Sequence, residues 1–398
     1  MDGDLAARLG DRSLFPDLAA RAYLNHAAIS PPSVAVRRAV EEVLADQARR
    51  GVSAHLPWRE RREGLRAKLA QLLDADAADI GFVPNTTRGV TDMALCLPWE
   101  RGDRVVLFDG EFPTNVTPWQ RAAELFEVSI AWLPLAPWAR DHGEGLAELE
   151  LELRRGVRLV AISAVQFQSG LRMPLEKMAA LCHAHGAELF VDGIQACGGV
   201  PLSLRQSGVD YLSSGGHKWL MGLEGTGFLY VRADRVARLR PHVAGWLGHE
   251  GGLAFLLEGP GHLRYDRPIK RSVTFVEGGA TNVVGYAALE ASVDLIASLG
   301  VDAIFAHVSA YLDALEPALV ERGCRSLRVA EPEGRSCILG VLPPDGVDVI
   351  ALQKALSARG IATTTPDGVL RFAPHWPNHA DEIPLILAAL DESLRELR

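Results

Sequence analysis

The 398-residue chain has no cysteine pair with CxxC spacing, and its five cysteines (Cys96, Cys182, Cys197, Cys324 and Cys337) are scattered and odd in number. A disulfide framework and a cysteine-rich zinc site are therefore not expected, and no metal centre is expected elsewhere. Reduced thiols fit a cytoplasmic location. No Lys/Arg-rich block occurs, and 41 basic against 50 acidic residues leave a net charge of −9. That balance argues against non-specific nucleic-acid binding. No apolar run approaches 18 residues, so no membrane span is expected. The first residues, MDGDLAARLGDRS, lack a basic segment followed by an apolar one, so no signal peptide is expected. Neither a GxGxxG fingerprint opening a helix nor a GxxxxGK[ST] loop is present, which disfavours a nucleotide-binding protein. No DNA-binding module and no internal repeat are visible.

What remains is a globular composition, 48% apolar and 23% charged, long enough to bury a large core. Short apolar runs alternate with helical stretches. Strands are expected at 80–83, 104–109, 128–133, 159–163, up to Asp192, and at 211–214, with helices between them. Near-continuous apolar strands in this rhythm indicate an α/β fold with a mostly parallel central sheet covered on both faces. Residues 134–145 and 245–272, rich in Gly, Pro or Trp, read as loops. The last hundred or so residues read as a smaller α+β unit, with strands at 336–342, 360–364 and 369–372. The expected division is an arm over 1–20 packing with the small unit, a large domain over 21–265 and a C-terminal domain over 266–398.

In a parallel sheet, chemistry collects in the loops after the carboxyl ends of the strands. Several chemistry-bearing residues fall there. Asp192 closes an apolar run, with Gln195 three residues on. A second run, Tyr211 to Ser214, then delivers Gly216-His217-Lys218-Trp219. Lys218 sits between a glycine pair and an apolar run, a setting unlike that of a solvated surface lysine. Thr86 and Thr87 follow Asn85 where a helix begins. That arrangement reads either as an anion site on unpaired helix N–H groups or as a plain helix cap. Phe112 and Gln168 occupy two further strand-end loops.

Taken together and in order, these motifs resemble the class V aminotransferase family of pyridoxal 5'-phosphate (PLP) enzymes of fold type I. The resemblance runs from Tyr23-Leu24-Asn25-His26-Ala27-Ala28 to Leu370-Arg371-Phe372-Ala373-Pro374-His375. It implies that Lys218 carries the cofactor as a Schiff base and that Asp192 holds the ring nitrogen protonated. It assigns His217 to the phosphate or to steering the lysine, and Gln195 to the phenolic oxygen. Thr86 and Thr87 would cradle the phosphate, with Ser213 or Ser214 supplying a hydroxyl where Gly215 replaces the serine of the desulfurase pattern. Gln168 joins the cofactor contacts, and Phe112 stacks on the ring. Arg371 would clamp the substrate carboxylate, because guanidinium binds carboxylate bidentately. Asn25 and His26 would lie on the opposite wall of the substrate site. The resemblance also implies a homodimer with shared active sites, Thr281 and Asn282 reaching the phosphate from the second subunit. The desulfurase pattern places a mobile cysteine shortly before the final arginine, and the interval 361–368 here has none. The expected activity is therefore β-elimination of a C–S bond in a small amino acid. Epimerisation, transamination and desulfuration are the alternatives, and a non-enzymatic PLP-binding protein is a further one.

Overall fold

The computed structural model describes residues 6–397. Among these residues the strands in chain order are β1 (Ala22–Tyr23), β2 (Ile80–Val83), β3 (Arg104–Phe108), β4 (Ser129–Leu133), β5 (Leu159–Ser163), β6 (Glu188–Asp192), β7 (Tyr211–Gly215), β8 (Gly227–Val231), β9 (Arg325–Ser326), β10 (Leu339–Leu342), β11 (Ile361–Ala362) and β12 (Leu370–Phe372). Strands β2 to β8 form one seven-stranded sheet in the order β2-β8-β7-β6-β5-β3-β4. Only β8 runs against its neighbours; the remaining pairs are parallel. Every residue of β5, β6, β7 and β8 is buried, as expected of strands covered by helices on both faces. The α/β reading with a mostly parallel central sheet therefore holds.

Two expectations change. The segment 134–145 is not a loop. Pro137 opens a helix over Ala136–Arg140, and Asp141 caps a second over His142–Leu153, accepting a bond from Gly143 N. Trp138 is buried beneath Gly145, where a Cβ would lie 2.2 Å from the indole, so the tryptophan is a packing residue between two helices. Residues 273–299, grouped with the C-terminal unit on sequence, pack instead on the large sheet. Helix Val283–Leu299 lies against helices Val34–Arg50 and His55–Leu72, and Tyr286 Oη donates to Val83 O of β2 at 3.0 Å.

The small C-terminal sheet is antiparallel, in the order β12-β10-β9. The described part of the N-terminal arm lies against this end of the chain. Gly10 N donates to Trp376 O at 2.7 Å, and β1 pairs in parallel with β11. Helix Val301–Glu321 is long and apolar enough to cross a membrane by length and composition. It carries a buried stripe of Ile304, Val308, Tyr311, Leu312, Leu315 and Leu319. Asp313 and Glu316 pair with Arg328 at 2.5 and 2.9 Å, so the helix is two-faced and packs on the core by one side.

Candidate active site

The loops after β2, β3, β5, β6 and β7 meet at one end of the sheet. β7 ends at Gly215, and the chain turns sharply through Gly216. Gly216 N donates to Thr226 O, and Gly222 N returns to Gly216 O, both at 2.8 Å. Met221 takes a left-handed backbone (φ 53°) to complete this turn. The backbone carrying Lys218 is held from behind by two buried imidazoles. Ser30 Oγ donates to Lys218 O at 2.7 Å, and its oxygen meets His26 Nδ1 at 2.7 Å. His375 Nδ1 accepts from Trp376 N, so its proton lies on Nε2, which donates to Trp219 O at 2.9 Å. His26, expected on the substrate wall, is therefore a buried scaffold residue behind the lysine. The contact across 188 positions that places it there has no local sequence signature.

Lys218 Nζ lies 5.6 Å from the centre of the Phe112 ring. No carboxylate of the described residues forms an ion pair with it. Burial, with Arg371 adding to it, pushes the Lys218 pKa below the ordinary lysine value, and Asp192 opposes this. Asp192 ends β6 at 2% exposure, and its Oδ1 accepts from Ile194 N at 3.0 Å. Burial raises its pKa, with neighbouring Glu111 adding to the shift. A half-buried lysine and a buried carboxylate without close ion partners, in neighbouring strand-end loops, mark a functional site.

Thr86 opens helix Thr86–Cys96. Its Oγ1 is buried without a hydrogen-bond partner, whereas the Asn85 side chain supplies the cap by accepting from Arg88 N. The two sequence readings thus separate onto two residues: Asn85 caps, and Thr86 has a hydroxyl to offer. Thr87 is exposed and shares a 2.8 Å bond with Thr114. Ser213 and Ser214 point to opposite faces. Side chains alternate along β7, and it is Ser213 that reaches Thr86 O, at 3.1 Å. Ser214 Oγ bonds Gly215 O on the other face. A Cβ at Gly215 would lie 3.2 Å from the His217 ring, a tight contact. His217 Nδ1 is buried without a partner.

Phe112 is 43% exposed and meets Phe167 edge-on at 5.3 Å. It is therefore not a core residue. Gln195 is buried, with Nε2 donating to Ala27 O and Oε1 accepting from Trp219 Nε1, which leaves one Nε2 hydrogen for a ligand. Gln168 is displaced from its expected role, since its amide reaches out to Asp367 at 3.3 Å. Gln166 faces inward instead, donating to Glu111 at 2.9 Å with its Oε1 buried and unpartnered. Glu111, missed on sequence, also accepts from Ser163 N, Ser163 Oγ and Asn115 Nδ2. It ties the Phe112 loop to the end of β5. Its position directly before Phe112 was the available signal.

Arg371, in β12, is 5% exposed and donates to Phe167 O at 2.6 Å. Its Nε is buried and unpartnered, and no carboxylate of the described residues pairs with it. Burial lowers its pKa to about 10. Asn25 bridges to Ala373 beside it, and Asn25 Oδ1 is also buried and unpartnered. Thr281 and Asn282 lie in a recess with Arg88, Gly225 and Tyr286, where Asn282 caps the following helix. All five cysteines are free and buried.

The Aminotransferase class-V family profile matches residues 22–370. The chain belongs to this family. The family member is a PLP-dependent enzyme, and the residues present suit that cofactor: Thr86 Oγ1 and His217 Nδ1 are orphaned polar atoms in the strand-end loops that also carry Lys218 and Asp192. It is 25% identical to a probable cysteine desulfurase of Methanothermobacter thermautotrophicus, over 95% of this chain and 96% of that one. It is 27% identical to isopenicillin N epimerase of Streptomyces clavuligerus, over 82% and 83%. Among solved structures, a cystine C-S lyase bound to cysteine persulfide superposes with a TM-score of 0.86 at 24% identity, covering 94% of this chain and 98% of that chain.

Proposed function

We propose that this class V enzyme cleaves the Cβ–S bond of a small S-substituted cysteine by α,β-elimination. Lys218 and Asp192 would hold the cofactor, with Thr86 and His217 toward its phosphate. PLP, when bound, supplies the electron sink for charge developing at the substrate Cα. Arg371 takes the substrate carboxylate, the role its buried, carboxylate-free guanidinium suits. Lys218, with its lowered pKa, accepts the Cα proton. The Cβ–S bond breaks with its electron pair on sulfur, and the sulfur takes up a proton to leave as a thiol. Water then releases the three-carbon remainder as pyruvate and ammonia. A thiolate, whose conjugate acid has a pKa of about 8.5, leaves without a general acid, so the protonless Phe112 is no obstacle.

The observation that carries this reading is the burial of all five thiols. Burial pushes Cys96 and Cys324 up to about 11 and Cys182 and Cys197 up to about 12, and Cys337 is raised as well. No thiolate is poised to take sulfur from a substrate, as a desulfurase requires. Epimerisation is the second reading. It has support in the epimerase relative and in the unpartnered His217 Nδ1, the candidate for the second base it needs. Incubation of holoenzyme with a panel of S-substituted cysteines decides between them. Stoichiometric pyruvate and thiol are expected, and loss of optical rotation without either product would overturn the lyase reading.

The proposal extends to a cytoplasmic homodimer. Reduced buried thiols suit a reducing compartment. Thr281 is assigned to the phosphate of the other subunit. The segment before it is firmly anchored, because Glu277 pairs with Arg62 at 2.7 Å and Arg66 at 2.8 Å and accepts from Phe82 N.

A further inference from the structure

A second cavity lies on the far side of the loop that follows β5. One side of this loop faces the active site through Gln166 and through Phe167 O, which holds Arg371. The chain then reverses at Gly170, and Arg172 and Met173 line an open cavity of about 590 Å³. This falls within the range of small-molecule sites, roughly 300–1,000 Å³. Leu175, Leu202 and Val301 give the cavity an apolar wall.

Its polar lining mixes cationic and acidic groups. Arg172 is half-buried, donates to Pro201 O at 2.6 Å and has no ion pair with any described carboxylate. Lys177 lines the same cavity and is likewise without an ion pair among the described residues. His142 is 8% exposed, and its Nε2 is buried with no hydrogen-bond partner. Helix Leu175–Ala184 starts at the cavity without a side-chain cap, so the positive end of its dipole faces this lining. Glu176, Asp302 and Glu333 also line the cavity, so a ligand bearing several negative charges is disfavoured. A single carboxylate on an apolar body satisfies both surfaces. The guanidinium takes the carboxylate, and the leucines take the body.

We propose that this cavity binds a small amphiphilic monocarboxylate, separately from the Lys218 site. The test is calorimetric titration of the PLP-loaded enzyme with benzoate in an Arg371→Gln background, which removes the active-site carboxylate clamp. Binding of one benzoate per chain is expected. Adding Arg172→Gln is expected to weaken it about tenfold or more, the scale of a charged hydrogen bond. Adding Lys177→Ala, at an exposed residue without an ion pair among the described residues, is expected to weaken it about threefold. No binding in the Arg371→Gln protein overturns the proposal. So does unchanged affinity in the Lys177→Ala protein, or in an Arg172→Gln protein whose melting temperature shows it to be folded.

Discussion

At the residue scale, the site is built from polar groups that the scaffold leaves unsatisfied, and this predicts opposite effects on stability and function. Arg371 carries a buried charge without a carboxylate, so the folded protein bears its desolvation cost. Arg371→Met is expected to raise stability by about 1–2 kcal/mol in urea unfolding while raising KM about 10- to 100-fold. Lower stability with an unchanged KM would show that the arginine is structural. The imidazoles behind Lys218 make a second case. Burial lowers the His375 pKa to about 4, from an ordinary value of 6.5. The unfolded chain therefore binds more protons than the folded one between these pH values. Stability is fully present above about pH 6.5 and is lost as pH falls toward 4, by about 3 kcal/mol in all. Buried carboxylates with raised pKa values, such as Asp92 at about 7, titrate in the opposite sense. The measurement is therefore the pH dependence of the difference between wild type and His375→Gln. That difference is expected to shrink on acidification, and a difference independent of pH would reject the assignment.

At the scale of elements, the start of helix Thr86–Cys96 separates capping from ligand binding. Asn85 already satisfies Arg88 N, and Thr86 Oγ1 satisfies nothing in the protein. Thr86→Val is expected to leave the melting temperature unchanged or slightly raised and to weaken PLP about tenfold, read by fluorescence during cofactor titration. A variant that unfolds more readily yet keeps PLP would return Thr86 to a structural role. The same element shows what was legible in the sequence. The placing of Lys218, Asp192 and Thr86 was legible because each follows or ends an apolar strand, and strand ends gather function in a parallel sheet. Gln168 was misplaced because two glutamines share one loop. Only the contact with Glu111, 55 positions earlier, turns Gln166 inward. His26 was misplaced for a similar reason, since its partner Ser30 holds a carbonyl from the other half of the chain. The helix over 136–140 was hidden by its Pro-Trp composition, which reads as loop until Trp138 is seen packed beneath Gly145.

At the scale of the whole molecule, the question is whether one chain makes a complete site. Thr281 lies with Arg88 and Gly225 in a recess, on a segment clamped by buried Arg62, Arg66 and Glu277. Such a clamp makes the segment rigid enough to be presented to a second subunit, because a buried ion cluster that loses one partner is strongly destabilised. Sharing makes a specific prediction about mixtures. Lys218→Ala chains lack the base, and Thr281→Glu chains repel the phosphate. Each homodimer is expected to be inactive. In a mixed dimer with shared sites, one site gathers both defects and the other gathers none. Co-refolding equal amounts is then expected to restore about a quarter of wild-type activity, since about half of randomly paired dimers are mixed and each has one intact site of two. If Thr281 serves the phosphate of its own chain, every site in the mixture stays defective and no activity returns. Sedimentation of the same mixtures, showing dimers throughout, distinguishes that outcome from failure to assemble.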